Sequence, residues 1–99
     1  MSASNNILAR AEEIRFVISK GHVAKGIKRL LDFARDFSND NEELNRAITI
    51  SADYNTIKKM NDDGDFSIDE FLRHRRRMII KALELLTEII ENQPQAMRA

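Results

Sequence analysis

A cluster of carboxylates in the second half of the chain has the residue types that could bind a cation. The run from Asn61 to Asp65 reads Asn-Asp-Asp-Gly-Asp, and Glu70 follows at the spacing of the last ligand in a calcium-binding EF-hand loop. In that register Gly64 takes the position of the sharp turn. The first position is Lys59, however, whose ammonium group would replace a carboxylate that the ion needs. The sequence therefore predicts a solvated turn followed by a capped helix, without a metal site.

The other reactive residue types do not have the spacing of a catalytic site. The chain has no cysteine, which excludes a thiol nucleophile and a thiolate metal site. His22 and His74 are the only histidines and are expected on separate helices, so we expect no metal site built on them. Adjacent carboxylates such as Glu12 and Glu13 point in different directions on a helix. We therefore expect a protein that is not an enzyme and that needs no cofactor.

The stretch from Arg73 to Arg77 reads Arg-His-Arg-Arg-Arg and is a basic run. Its cations and one that follows could share one side of a helix, and we call them the basic band: Arg73, Arg76, Arg77 and Lys81. Three interpretations remain open. The charges could be ordinary surface decoration, with Asp69 pairing to Arg73 four residues later. They could instead form a protein-contact surface, or a patch that binds nucleic acid.

Three carboxylates precede the basic band and lie at the other end of the same region. We call them the acidic turn: Asp62, Asp63 and Asp65. A domain with neighbouring patches of opposite sign can dock head to tail with a second copy, and such contacts form chains or rings. We therefore predict that the acidic turn and the basic band together form a protein-interaction surface.

Hydrophobic periodicity predicts four helices that would position these charges. The first begins at a cap on Ser4 or Asn5 and ends at Gly21, and the second runs from about His22 to Phe37. The third begins after a cap at Asn39 or Asp40, with Glu42 or Glu43 completing a box-like start. The last runs from Ile68 to Asn92, with Ser67 and Glu70 forming a capping box. Its predicted apolar stripe contains Ile68, Phe71, Arg75, Met78, Ile79, Ala82, Leu86 and Ile89.

The short connection before the last helix predicts that the last two helices form a long antiparallel hairpin. Arg75, Ser51 and Asn55 fall on or beside apolar stripes. They would either form a polar network between these helices or reach water with their stems packed. The fold class we predict is all-α, a compact four-helix bundle. One domain spans residues 1–99, with an ordered core of about residues 5–92 and a frayed end from Gln93 to Ala99.

The composition limits the kinds of partner. Sixteen basic and sixteen acidic side chains give a formal net charge of zero, so no global field indicates nucleic acid or an anionic membrane. No apolar run is long enough to span a bilayer, and the first residues do not have the pattern of a secretory signal. We expect a cytoplasmic domain without a membrane partner or a small-molecule substrate.

Several short motifs, taken in order, resemble one family of bacterial domains. Ser51 to Asn55 reads Ser-Ala-Asp-Tyr-Asn and resembles the Ser-Ala-Arg-Tyr-Asn stretch of the bacterial effector-associated domains, family eleven. Gly64 to Phe71 resembles that family's Gly-x-Ile-Ser-x-Glu-Glu-Tyr pattern, and residues 82–86 match its closing run. The resemblance covers about residues 8–90. The chain departs from the pattern at Asp53, where a basic residue is usual, and at Arg77-Met78, where Asn-Arg is expected.

The resemblance implies a small death-like helical adaptor. Such domains are thought to join an effector, such as a protease, a caspase-like enzyme or a TIR enzyme, to its sensor in bacterial defence by like-with-like contact. The leading expectation is therefore a homotypic protein-interaction domain whose partner is another effector-associated domain or a second copy of itself. The alternative is a small helical nucleic-acid-binding regulator that uses the run from Arg73 to Arg77. A toxin–antitoxin or enzyme-inhibitor partner is a third possibility.

Overall fold

The computed structural model describes the backbone of residues 3–93 and the side chains of residues 6–93, and this part of the chain is all-α. Its four helices are α1 (Ala3–Ser19), α2 (Val23–Phe37), α3 (Asn41–Asp62) and α4 (Ile68–Glu91). They pack as a four-helix bundle, which confirms the predicted fold class. The expected hairpin of the last two helices corresponds to α3 and α4, which are joined by residues 63–67 and pack against each other.

Local side-chain hydrogen bonds explain where α3 and α4 begin. Asp40 is the N-cap of α3, and its carboxylate accepts the N–H of Glu43 at 2.9 Å. At the start of α4 the Ser67 hydroxyl accepts the N–H of Glu70 at 3.2 Å, and the Glu70 carboxylate accepts the N–H of Ser67 at 3.0 Å. Both predicted caps are confirmed. The prediction for α1 was wrong, because the helix already includes Ser4 and Asn5 and begins at Ala3.

The turn between α1 and α2 depends on a glycine with positive φ. Gly21 has a φ of +87°, its N–H donates to Ile18, and the next N–H, of His22, donates to Val17 at 3.1 Å. This pair of bonds is a Schellman motif, which satisfies carbonyl groups at the end of α1 and reverses the chain. Gly26 then packs against Ile18, where a Cβ would overlap Cγ1 of the isoleucine. A close helix approach therefore explains why a glycine stands inside α2.

The hydrophobic core lies where α1 and α2 cover the first half of α3 and the second half of α4. Periodicity predicts an apolar face of Ile7, Ala11, Ile14, Val17 and Ile18 on α1, and all five are buried. It also predicts Ile48 on the apolar face of α3, and the other helices differ from their predicted faces in part. Ile48 and Ile68 are exposed, whereas Phe33, Ile50 and Leu85 are buried without having been predicted. The buried apolar residues are Ile7, Ala11, Ile14, Val17, Ile18, Val23, Ile27, Leu30, Phe33, Ala34, Ala47, Ile50, Tyr54, Met78, Ala82, Leu85, Leu86 and Ile89.

A buried polar cluster closes the end of the bundle where α2 passes into α3. The side chain of Glu43 is only 2% exposed, and it accepts hydrogen bonds from the N–H and the side-chain amide of Asn39 and from the amide of Asn92. Gln93 is also buried, and its amide donates to the carbonyl of Phe37 at 2.6 Å. The prediction that Gln93 frays was wrong, because these bonds hold it against α2. The remaining residues of the predicted frayed end, 94–99, lie outside the described residues.

Candidate protein-interaction surface

The last two turns of α3, the connection after it and the first ten residues of α4 contain no buried residue. This stretch runs from Asn55 to Arg77, and every side chain in it is exposed or half-buried. We call residues 55–77 the α3–α4 tip. Arg75 donates to the carbonyl of Gly21 at 3.1 Å, so the turn between α1 and α2 lies level with Arg75. The earlier residues of α4 extend past that turn, and this explains why the first two helices do not cover them.

The hydrogen bond from Arg75 to Gly21 also bears on whether Arg75, Ser51 and Asn55 form a polar network or reach water. Arg75 is half-buried and donates to the backbone of the α1–α2 turn. Among the described side chains it makes no hydrogen bond to Ser51, which is half-buried, or to Asn55, which is exposed. The predicted polar network between α3 and α4 is therefore not formed. Arg75 instead ties α4 to the first two helices.

The acidic turn lies where α3 ends. Asp62 is the last helical residue and Asp63 is the C-cap. Gly64 follows with a φ of +83°, its N–H donates to Asn61, and the N–H of Asp65 donates to Met60 at 2.9 Å. The turn is thus a second Schellman motif, closed by backbone bonds alone. Within residues 3–93 no group of three or more histidine or acidic side chains is arranged to hold a metal ion.

The four cations of the basic band lie together. Arg73, Arg76, Arg77 and Lys81 line one groove of about 390 Å³, together with Ile80 and Glu84. The ion pairs among the described residues lie elsewhere, and none includes a member of the basic band: they are Arg10–Asp36, Glu13–Arg29, Asp32–Arg35 and Arg46–Glu88. The predicted pair of Asp69 with Arg73 is wrong. Such an exposed pair is worth only a few tenths of a kcal/mol, so its absence costs little, although the exposed pair Asp32–Arg35 does form on α2.

A second groove of about 630 Å³ runs between α3 and α4 beside the basic band. Lys81 and Glu84 line both grooves, so the two are adjacent. The sequence did not indicate this groove, because its walls come from residues far apart in the chain. They are Glu42, Asn45, Arg46, Thr49, Ile50, Asp53, Lys81 and Glu84.

Two further features belong to the start of α4. The ring of Phe66 stacks on His74 with centroids 4.7 Å apart, which packs the turn onto the helix. The pKa of Glu70 is lowered from its usual 4.5, chiefly because its carboxylate accepts the N–H of Ser67. The Ser67 hydroxyl, and then the positive charges of Arg73 and His74, act in the same direction. Glu70 therefore stays ionised and holds the first turn of α4 in place.

The tip also carries exposed apolar side chains, and one of them, Ile68, is a residue that the periodicity had assigned to the interior. Ile68 is 78% exposed and Leu72, one turn later, is 48% exposed. Both follow the same side of α4, but they lie beyond the α1–α2 turn and so have no helix to pack against. A helical pattern gives the direction of a side chain and not the length of the helix opposite it, which is why the prediction for Ile68 was wrong.

Comparison of the chain with protein-family models, with curated proteins and with solved structures gives no match. Among residues 3–93, no helix combines the length and the apolar character needed to cross a bilayer. A function therefore has to be argued from the geometry of the tip, together with the sequence resemblance described above.

Proposed function

We propose that this chain is a non-enzymatic, homotypic protein-interaction domain of the death-like, effector-associated type, acting in the bacterial cytoplasm. The observation that carries the proposal is the basic band: four neighbouring cations that form no ion pair with other described residues. The acidic turn lies on the same tip. The proposal also rests on the order and spacing of the motifs that resemble family eleven.

In the contact we propose, the basic band of one copy receives the acidic turn of the next. The acidic turn lies at the C-terminal end of α3, where the helix dipole adds partial negative charge to that of Asp62, Asp63 and Asp65. Arginines suit this role because a guanidinium group can bind a carboxylate through two hydrogen bonds. After two copies dock, one still has a free acidic turn and the other a free basic band, so the contact can repeat and build a chain or a ring.

The test neutralises two charged side chains of each patch and does not reverse their charge. One variant carries Arg73→Gln and Arg77→Gln, and the other carries Asp62→Asn and Asp63→Asn. Each should self-associate about tenfold more weakly than the parent chain, because two exposed charge pairs are lost per contact. Analytical ultracentrifugation at low salt measures this, and rising salt should weaken the parent's association. Lys25→Gln with Lys28→Gln, on the exposed side of α2, removes the same charge and should have no effect.

Mixing the two variants then tests whether the acidic turn of one copy pairs with the basic band of another. The Arg73/Arg77 variant retains the acidic turn and the Asp62/Asp63 variant retains the basic band, so an equimolar mixture has one intact pairing. We expect mainly complexes of one copy of each, because further growth would have to pair the two weakened patches. If the parent chain stays monomeric at high concentration, or if the mixture behaves as the sum of its parts, the homotypic contact is wrong.

The adaptor role goes one step further, to an effector and its sensor. The chain should bind another effector-associated domain through the same two patches, and the Arg73/Arg77 and Asp62/Asp63 variants should lose that binding. Titration against such domains encoded beside the gene, followed by isothermal calorimetry, measures it. Binding that survives in both variants would place the contact on another surface.

The unpaired basic band also supports a second candidate function, a nucleic-acid-binding regulator that uses Arg73 to Arg77. Phosphate contacts would make such binding fall steeply with salt, by nearly one logarithmic unit per logarithmic unit of salt for each phosphate neutralised. Gel shifts with duplex DNA and single-stranded RNA at several salt concentrations test it. We favour the protein partner, because the formal net charge is zero and the acidic turn on the same tip would repel phosphates.

A further inference from the structure

The exposed apolar pair on α4 lies next to two charges: Asp69, which the head-to-tail contact does not use, and Arg76, which belongs to the basic band. Ile68 and Leu72 are one turn apart, and Asp69 and Arg76 lie along one edge of the strip that they form. Asp69 and Arg76 share that edge because seven residues make almost two complete helical turns. Neither of them forms an ion pair with another described residue. The strip therefore has an apolar centre, an acid toward one end and a base toward the other.

We propose that this strip binds the same strip of a second copy, with the two α4 helices antiparallel about a two-fold axis near Leu72. In an antiparallel pair, each edge of one helix faces the same edge of the other. Asp69 lies three residues before Leu72, and Arg76 lies four residues after it. Asp69 of each copy therefore faces Arg76 of the partner copy. An isologous contact requires a self-complementary patch, and this arrangement satisfies both charges twice.

The arrangement of charge selects this partner and this direction. Parallel packing of two strips would set the edge that carries Asp69 and Arg76 against the opposite edge of the other copy, so neither charge would meet its opposite. The antiparallel arrangement turns the same four charges into two attractive pairs around Leu72 and Ile68, whose exposed surface would leave water. The two-fold contact shares Arg76 with the basic band but requires neither the acidic turn nor Arg73 and Arg77, so the Arg73/Arg77 and Asp62/Asp63 variants should leave it intact.

Self-crosslinking tests the two-fold axis directly, because a residue on such an axis meets itself. The chain has no cysteine, so Leu72→Cys introduces a single thiol. In helices packed at the usual distance, facing Cα atoms come about 5 Å apart, within the span of a disulfide. Ile80→Cys is the matched control, because Ile80 is 49% exposed on the same helix but lies off the strip. Under mild oxidation we expect Leu72→Cys to form covalent dimers about tenfold faster or more.

A charge-exchange experiment gives an independent result that does not depend on a disulfide. Asp69→Arg and Arg76→Asp should each weaken dimerisation about tenfold, since each opposes like charges twice in the dimer. A mixture of the two variants should dimerise like the parent, because all the facing pairs are again of opposite sign. Circular dichroism confirms that each variant keeps its helices. Equal crosslinking rates for the two cysteine variants, or a mixture that stays monomeric, would overturn the two-fold contact.

Discussion

At the scale of single residues, Gly26 sets the distance between α1 and α2. Alanine would gain about 1 kcal/mol of helix propensity over glycine. Its Cβ, however, would overlap Cγ1 of Ile18 and lie 3.1 Å from Cδ1 of the same side chain. Cγ1 is next to the β-branch of a buried residue, so it cannot swing away, and overpacking of this kind costs about 1–3 kcal/mol. We expect Gly26→Ala to lower the free energy of unfolding by about 1 kcal/mol, measured by urea denaturation.

A second substitution shows whether the overlap is the cause. Ile18→Ala removes Cγ1, so Gly26→Ala in that background should be neutral or stabilising, although Ile18→Ala itself costs about 2–5 kcal/mol. The interaction between the two substitutions is read from a double-mutant cycle. If Gly26→Ala stabilises the parent chain, the close helix approach at this position is wrong.

At the scale of one helix, the start of α4 is held by its capping box and should respond to pH. The lowered pKa of Glu70 means that folding favours the carboxylate, chiefly through the hydrogen bond from the Ser67 N–H. The resulting stabilisation is fully present above the usual pKa of 4.5 and is lost as the pH falls through the lowered value. Glutamine can still accept the Ser67 N–H but carries no charge.

We therefore expect Glu70→Gln to be less stable than the parent at neutral pH, and the difference to disappear on acidification. Urea unfolding followed by circular dichroism, from about pH 7 down to about pH 3, measures it. Because Glu70 is exposed, the difference should be small and should shrink further with added salt. A difference in unfolding free energy that stays constant over this pH range would contradict a role for the charge.

The four helices differ in how well their sequences predicted their environment. Each helix was predicted from periodicity, and the caps at Asp40 and Ser67 followed from residue types three apart. Those signals come from residues that are close together in the sequence, so the sequence alone predicts them. The exposure of Ile68 depends on where α1 ends, and the groove between α3 and α4 depends on how two helices meet. Both features depend on how two helices pack, and the periodicity of a single helix gives no information about that packing.

The charged residues show the same division between local and tertiary information. The run from Arg73 to Arg77 predicted a band of cations along one helix. Its members Arg73, Arg76 and Arg77 do line one groove together with Lys81. The pair of Asp69 with Arg73, which the surface-decoration interpretation expected, is not among the ion pairs of the described residues, although a similar exposed pair, Asp32–Arg35, forms on α2. The bond from Arg75 to Gly21 joins residues 54 apart, and no spacing rule could have found it.

At the scale of the molecule, the chain consists of a packed body and the less protected α3–α4 tip. The body contains all the buried apolar residues, and the structure extends 48 Å along its longest axis against 27 Å and 16 Å across. Residues 55–77 contain none of the buried side chains. Segments with few buried apolar contacts open more readily than the rest of a domain. The tip is therefore the part of the fold whose stability a partner can change most.

Hydrogen exchange on dilute protein tests this difference. We expect backbone amides in the middle of the tip helices, such as those of Ile57 and Leu72, to exchange at least about tenfold faster than those of Leu30 and Leu85 in the body. Raising the protein concentration should slow exchange in the tip and leave the body unchanged, because only the tip is covered when copies associate. If both regions are equally protected in the monomer, contacts within the chain already stabilise the tip. If exchange in the tip does not depend on concentration, the copies do not meet there, and both the head-to-tail and the two-fold contacts are wrong.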